Sequence, residues 1–249
     1  NEYVVAFVCT SLNKVAGGLE RQLVRVANEL NKIGFKVLIF SFDNHPSVSF
    51  YKISKNIIWI KCGNGLVPHT SANLIDRLKQ IYHFRKILIK YSITHLITFH
   101  HGLFPRSFLA SLFLPITKIV SERNSLKNYK YIKLRKYNSG FLSLYLADKI
   151  TVQLKSYVAD YPRFIRNKIK VVPNLLYKNE LYEEPLLNES VISMMGRLCP
   201  QKNFTPLLDQ CLENINEIKN LKIRIAGEGE YRGFFEEKYR LLISCGILE

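Results

Sequence analysis

Acidic residues are scarce in this chain. Asp and Glu number 20 against 36 Lys and Arg, a net charge of +16 over 249 residues. Such an excess implies attraction to an anion, whether nucleic acid, an anionic bilayer or a phosphorylated substrate; a basic, solubilising surface is the plainer alternative. Cysteine is sparse too: five residues at 9, 62, 199, 211 and 245, an odd number without CxxC spacing. That argues against a disulfide framework and a zinc site, and fits a reducing, cytoplasmic setting. Long apolar runs are missing. Stretches such as Phe141 to Ala147 fall far short of the roughly 20 residues a membrane span needs. The opening "YVVAFVC" has no basic region before it and no cleavage site after it, so it does not read as a signal peptide. The absence of an initiator Met suggests a trimmed or partial chain. Glycines (12) and prolines (9) are few and 47% of residues are hydrophobic, enough for a sizeable core in one or two domains.

What is present is an alternation of strands and helices. "YVVAFVCT" (3–10) reads as a buried strand. Leu19, Leu23, Val26, Ala27, Leu30 and Ile33 then recur at helical spacing, Gly34 ends the helix, and "FKVLIFSF" (35–42) is a second strand. The pattern continues with strands at 56–60, 94–99, 116–122, 149–153 and 168–174. Between them come a helix over 73–91 with Leu74, Leu78, Ile81, Leu88 and Tyr91 on one face, a short helix from Phe104, helical sequence around 128–147, and a short helix broken by Pro162. The polar stretch "KNELYEEPLLNES" reads as a linker. The alternation then restarts with strand 191–196, helix 203–217, strand 221–227 and helix 231–245, and "ILE" at the end looks like the beginning of another strand. Strands without a polar face, alternating with helices, predict parallel sheets covered on both sides. The fold class is therefore α/β, with two Rossmann-like doubly wound domains: residues 1–180, a linker over 181–190, and an incomplete second domain over 191–249. In such folds ligands bind at the carboxyl ends of the strands.

Several candidates lie there. Gly17-Gly18 would let a backbone approach a ligand and expose helix N–H groups to an anion, although a plain tight turn explains it as well. It is neither GxGxxG nor a Walker loop. Arg197 and Lys202 follow the strand 191–196; a forked guanidinium and an ammonium at a helix start suit a diphosphate, and two solvated loop cations are the alternative. Gly227, Glu228 and Gly229 end the neighbouring strand and could border the same pocket or form a simple turn. His100 and His101 end the strand 94–99, where an imidazole could hydrogen-bond a sugar or act on a hydroxyl; the sequence leaves open which of the two is used. From Arg123 to Lys136 there are six basic residues and no acidic one, interleaved with Tyr129, Tyr131, Ile132, Leu134 and Tyr137. This segment, 123–137, suits an anionic bilayer or a solvated helix face. RNA is a further option, but no RNP, KH or helix-turn-helix signature accompanies it.

In order along the chain, these pieces resemble glycosyltransferase family 4, the retaining sugar-nucleotide transferases of GT-B fold. "GGLERQLVRVANELNKIGFKVLIFSFD" resembles its glycine loop, helix and second strand, and "VVPN" (171–174) the segment closing its first domain. "SMMGRLCPQKNF" resembles its GRL…KN motif, and "RIAGEGEYR" its AGxG turn, 30 residues on. "SERNS" is similar to a strand-end motif of members that build bacterial surface polysaccharides. The resemblance implies that Arg197 and Lys202 hold the donor diphosphate and that Gly227, Glu228 and Gly229 border the donor pocket. It implies that Gly17-Gly18 faces the phosphate or the acceptor across the interdomain cleft, with His100 catalytic and Arg123 on the acceptor side. No metal or other cofactor is implied, and no Asp-x-Asp motif is present; two cations and helix N-termini would stabilise the leaving group. The implied reaction moves a hexosyl or N-acetylhexosaminyl group from a nucleotide-diphosphate donor, a UDP-sugar, to a hydroxyl of a lipid-linked or growing surface glycan. The implied place is the cytoplasmic face of the membrane, with no nucleic-acid partner. Two departures stand out. The family's Glu pair, eight positions apart, is expected beyond residue 249; Glu228 and Glu236 match that spacing by chance, and a chain ending here would lack half its donor pocket. "TFHHG" also differs from the usual single-His context. The alternatives are a non-catalytic binding or membrane-associated module of the same fold, and an RNA-binding protein.

Overall fold

The structure is a computed structural model that describes residues 3–63, 73–129, 138–176, 190–218 and 220–249. Residue contacts divide the chain into two compact units, Asn1–Tyr177 and Lys178–Glu249. The stretch read as a linker falls almost wholly outside the described residues.

The first unit is built on seven parallel strands: β1 (Val4–Cys9), β2 (Lys36–Ser41), β3 (Ile58–Lys61), β4 (His95–Phe99), β5 (Thr117–Ser121), β6 (Lys149–Val152) and β7 (Ile169–Val171). Their order is β3-β2-β1-β4-β5-β6-β7. Every residue of β1 is buried, because both faces of the sheet are covered. Side chains of a strand alternate between faces. Val4, Ala6 and Val8 enter a core with Leu38, Phe40, Phe84, Leu88 and Leu96. Val5, Phe7 and Cys9 enter another with Leu23, Ala27, Val37 and Ile39. The helices α1 (Gly18–Lys32) and α2 (Leu74–Lys90) supply the opposing layers. Strand order reverses between β1 and β4, so their carboxyl ends flank the crevice where this architecture places ligands.

The helices depart from the expectations in instructive ways. On α1 the buried residues are Gln22, Leu23, Val24 and Ala27, whereas Ile33, at the helix end, is 68% exposed. Gln22 turns inward because its Nε2 donates to the Leu175 carbonyl and its Oε1 accepts from the Leu175 amide. On α2 the inward face is Phe84, Ile87 and Leu88 with Ile81; Leu74 and Leu78, expected inside, face out. The short helix expected from Phe104 is α3 (Phe104–Ser111). In the region expected to be helical around 128–147, the described residues form the end of a 3-10 turn, Leu126–Asn128, the short helix α4 (Ser139–Ser143) and a 3-10 turn at Leu144–Leu146. The helix expected around Pro162 is two 3-10 turns, Lys155–Asp160 and Arg163–Lys168.

In the second unit β8 (Val191–Met195) pairs in parallel with β9 (Lys222–Ala226), and Leu248 forms a parallel bridge to Ile223. Three helices follow the strands: α5 (Thr205–Glu213), α6 (Arg232–Lys238) and α7 (Arg240–Ser244). Their core is Leu198, Phe204, Leu208, Ile223, Phe235, Tyr239 and Leu242. Strand β8, expected to be buried, is largely exposed, with Met195 at 83%, because the described helices cover one face of this two-stranded sheet. The helix expected over 203–217 is observed as the shorter α5; a 3-10 turn, Pro200–Lys202, precedes it, and Asn203, left-handed at φ 52°, separates the two. The helix expected over 231–245 breaks at Tyr239, whose buried side chain donates to Asp209 at 2.7 Å.

Candidate functional site

In the first unit the candidate site lies at the ends of β4 and β5. The amide of His100 donates to the Ser121 carbonyl at 3.1 Å, prolonging the ladder by one residue. His100 then turns with φ 85° and ψ 129°, a sparsely populated conformation for a residue with a Cβ. Its Nδ1 accepts from the Gly102 amide at 2.9 Å. A ring nitrogen that accepts carries no proton, so neutral His100 holds its proton on Nε2. Burial lowers the pKa of His100, and the neighbouring His101 lowers it further, against an opposing influence of Glu122.

His101 is different. Its side chain is 1% exposed, and Glu122 Oε1 accepts both its amide, at 2.6 Å, and its Nδ1–H, at 2.9 Å. The two imidazoles stack at 4.4 Å, and Tyr129 meets both rings edge-on. A side chain on Gly140 would strike the His101 carbonyl at 3.0 Å and Gly102 Cα at 3.1 Å, so α4 closes on this turn through a bare backbone. Packing separates the two histidines: His101 is fixed inside, and His100, half-buried, rides on it. Glu122 Oε2 is buried and has no hydrogen-bond partner among the described residues.

Arg123 follows directly. Its guanidinium lies 4.8 Å above the Phe99 ring and donates from one Nη to Asn174 Oδ1 at 3.1 Å, while its buried Nε has no partner among the described residues. Burial brings its pKa down to about 10, with Glu122 opposing, so the side chain stays cationic at neutral pH. The rest of the basic segment, 130–137, lies outside the described residues. At the end of β1, Gly17 caps α1 with φ −85°, a conformation any residue adopts. The Glu20 carboxylate reaches back over it: a Cβ at Gly17 would lie 2.1 Å from Glu20 Oε2, whereas Gly18 faces open space. The acid in the first turn complements the helix dipole, so this helix end carries its own anion. Asp43, at the end of β2, holds the loop by accepting from Ser11 Oγ at 2.5 Å and the Leu12 amide at 2.8 Å.

In the second unit the glycines organise backbone rather than side chains. A Cβ at Gly227 would lie 1.9 Å from the Gly196 carbonyl oxygen, and one at Gly229 would lie 2.3 Å from that of Leu198. Only bare backbone permits this approach. The loops after β8 and β9 are joined by Gly196 N–H to Ala226 O, Leu198 N–H to Glu228 O and Tyr231 N–H to Leu198 O, at 2.9 to 3.1 Å. On this frame Lys202 runs its aliphatic stem along Gly196. Arg197 is exposed and lines a concave surface with Cys199, Pro200 and Glu230. Among the described residues neither cation forms an ion pair. Glu228 and Glu236 both grip Arg232, at 2.5 and 2.8 Å; their spacing of eight is that of an i, i+4, i+8 surface ladder.

Sequence reasoning passed over Glu122, Asn174 and Asp43. The signal for Glu122 was its place immediately after a buried strand, where a charged residue needs a partner; that partner lies 21 residues away and only folding supplies it.

Three solved structures give the architecture a context. The lipopolysaccharide glycosyltransferase WaaG matches with a TM-score of 0.67 at 14% identity, over 98% of this chain and 69% of its own. Sucrose-phosphate synthase from Thermosynechococcus elongatus matches at 0.74 and 12%, over 100% and 70%. HepE from Anabaena, in complex with UDP and glucose, matches at 0.69 and 13%, over 100% and 68%. The fold is that of the GT-B glycosyltransferases. In this GT-B chain the described residues carry two candidate strand-end sites, one in each unit. No protein-family model matches the sequence, and no curated protein does. At these identities the likeness concerns the fold. Among the described residues no helix is long and apolar enough to cross a membrane.

Proposed function

We propose that this protein is a retaining glycosyltransferase of family 4 type. It would move a hexosyl or N-acetylhexosaminyl group from a UDP-sugar to a hydroxyl of a lipid-linked or growing surface glycan. The observation that carries the reading is the pair of exposed cations, Arg197 and Lys202, on a strand-end loop that three backbone hydrogen bonds and two close glycine contacts hold in shape. Preorganised cations stabilise a departing diphosphate without moving at the moment of reaction. The Gly227-Glu228-Gly229 turn braces that loop, and Glu228, paired with Arg232, borders the donor pocket. The UDP bound by HepE supports a nucleotide-sugar donor.

In the first unit His100 is the catalytic candidate. Its neutral tautomer with hydrogen on Nε2 suits it to donate to a substrate oxygen rather than to take a proton. Arg123, held by Phe99 and Asn174, serves the acceptor side, and Gly18 leaves open ground beside it for a phosphate or an acceptor. The acceptor class rests on "SERNS" and on the lipopolysaccharide role of WaaG. Sucrose-phosphate synthase shows how far acceptors vary on one fold. The basic segment 123–137 would hold the enzyme at the cytoplasmic membrane face. Isothermal titration with UDP-glucose and UDP-N-acetylglucosamine tests the donor site: binding should weaken about tenfold or more in Arg197→Ala and Lys202→Ala. Failure of the wild-type protein to bind any nucleotide sugar would sink the reading.

A further inference from the structure

The turn after β4 holds His100 in a backbone conformation, φ 85° and ψ 129°, that a residue with a Cβ rarely adopts. Both peptides flanking it are gripped from the end of β5. The His100 amide donates to the Ser121 carbonyl at 3.1 Å. The next amide, that of His101, donates to Glu122 Oε1 at 2.6 Å, and the same oxygen accepts from His101 Nδ1 at 2.9 Å. A peptide is planar, so fixing the His101 N–H fixes the plane between residues 100 and 101, and with it ψ of His100. Glu122 therefore acts on the strained rotation directly, from a side chain that is 0% exposed.

The imidazole of His100 is placed as firmly as its backbone. The Gly102 amide donates to its Nδ1 at 2.9 Å, and a Cβ on Gly102 would lie 2.9 Å from that same nitrogen, so the ring rests on bare backbone. The His101 ring, itself held by Glu122, stacks on it at 4.4 Å, and Tyr129 meets it edge-on. Nε2 has no hydrogen-bond partner among the described residues. A buried carboxylate is costly unless its hydrogen bonds are well made. Both of those that Glu122 Oε1 accepts go to the residue after His100: one through the peptide that sets the His100 backbone, the other through the ring that stacks on its imidazole.

We propose that Glu122 is a positioning residue: through the peptide between His100 and His101, and through the His101 ring, it holds His100 in a strained turn and keeps the Nε2–H of His100 as a fixed hydrogen-bond donor for a substrate oxygen. The role of that donor rests on the transfer reaction proposed above; the arrangement that holds it does not. A glycine at position 100 would adopt this backbone at little cost, so strain retained at a histidine marks a place where the imidazole matters more than the ease of the turn. Because Nδ1 is occupied by the Gly102 amide, the ring is kept as a donor at Nε2 rather than left free to exchange tautomers.

The test combines urea unfolding with NMR of the imidazole nitrogens in the full chain, His100 being assigned by the signals lost in His100→Gln. Wild-type protein should show His100 as the Nε2–H tautomer. Glu122→Gln keeps an acceptor and should keep that tautomer, but the His100 pKa should fall, because the Glu122 charge raises it against burial and His101. Tyr129 also meets the ring, Arg123 follows Glu122, and α4 adds no ionisable side chain. In Glu122→Ala, and in Gly102→Ala with Glu122 intact, Nδ1–H should appear beside Nε2–H. Strain is read by comparing glycine with alanine at position 100. His100→Gly should have an unfolding constant about tenfold smaller than His100→Ala, and adding Glu122→Ala to both should remove that difference. The proposal is overturned if glycine and alanine at position 100 are equally stable with Glu122 present, or if Glu122→Gln leaves the His100 pKa in place. A pure Nε2–H tautomer in Glu122→Ala also overturns it; the first two outcomes decide even if that variant does not fold. None of these readouts uses a nucleotide sugar, so failure here is distinct from failure of donor binding.

Discussion

The two candidate strand-end sites are made in opposite ways. In the first unit the chemical side chains are themselves packed: His101 and Glu122 are sealed inside, His100 is held in a strained turn, and Arg123 is sandwiched between Phe99 and Asn174. In the second unit the backbone is packed and the side chains are left outside. Gly196, Leu198, Gly227 and Gly229 lock two loops together, and Arg197 and Lys202 stand exposed on the result. The contrast has a physical reason. A buried titratable group must be partnered, so a site built from such groups is inseparable from stability. Exposed cations cost the fold little and can be reserved for a ligand.

This comparison is sharpest where substitution separates stability from binding. The largest loss of stability is expected for Glu122→Ala, which strands two buried donors of His101: about 2–4 kcal/mol in urea unfolding, with Glu122→Gln milder because Oε1 is retained as an acceptor. A loss below about 1 kcal/mol for the alanine variant would break the claim that packing makes the first site. Next comes Gly227→Ala. The added methyl meets a carbonyl oxygen rather than a side-chain end, so the loops must part, at about 1–3 kcal/mol, and nucleotide-sugar affinity should fall as Lys202 shifts; calorimetry and titration report the two effects. The paired arginines should then diverge. Arg123→Ala should destabilise by about 1–2 kcal/mol through lost packing on Phe99 and the lost hydrogen bond to Asn174. Arg197→Ala should stay within about 0.5 kcal/mol of wild type while weakening donor binding. Equal stability losses would erase the distinction.

The smallest effect concerns pH. The folded pKa of His100 is lowered from its ordinary 6.5, chiefly by burial. Below about 6.5 the unfolded chain therefore binds the proton more readily than the folded one. This contribution is fully favourable to folding above that value and is lost as pH falls through it toward the folded pKa. His100→Gln should flatten that part of the stability profile. An identical slope in wild type and variant would remove His100 as its source.

Much of the fold was legible because it is written in local periodicity. Strand runs such as "VVAFVC" and "VLIF" were found nearly to the residue, since burial on both sides demands uninterrupted apolar sequence. The ends of those strands pointed to His100, Arg123 and Arg197. Helices were read less well. Tyr239 interrupts a segment whose periodicity runs on, because a buried tyrosine carries no mark in hydrophobic pattern. On α2 two apolar stripes were merged into one, since periodicity reports that a face is apolar but not whether anything lies against it.

The sequence by itself determined the α/β alternation, the parallel sheet, the positions of the strand ends and the excess of cations around them, all consequences of neighbours within a few residues of one another. Tertiary structure alone decided that β1 and β4 are adjacent, that Glu122 takes His101 and leaves His100 presented, that Gly227 and Gly229 serve close backbone contact, and that an apolar band of α2 faces outward. Each of these depends on groups distant along the chain meeting in space, and pairwise packing, not local preference, selects among the arrangements a sequence of this composition could adopt.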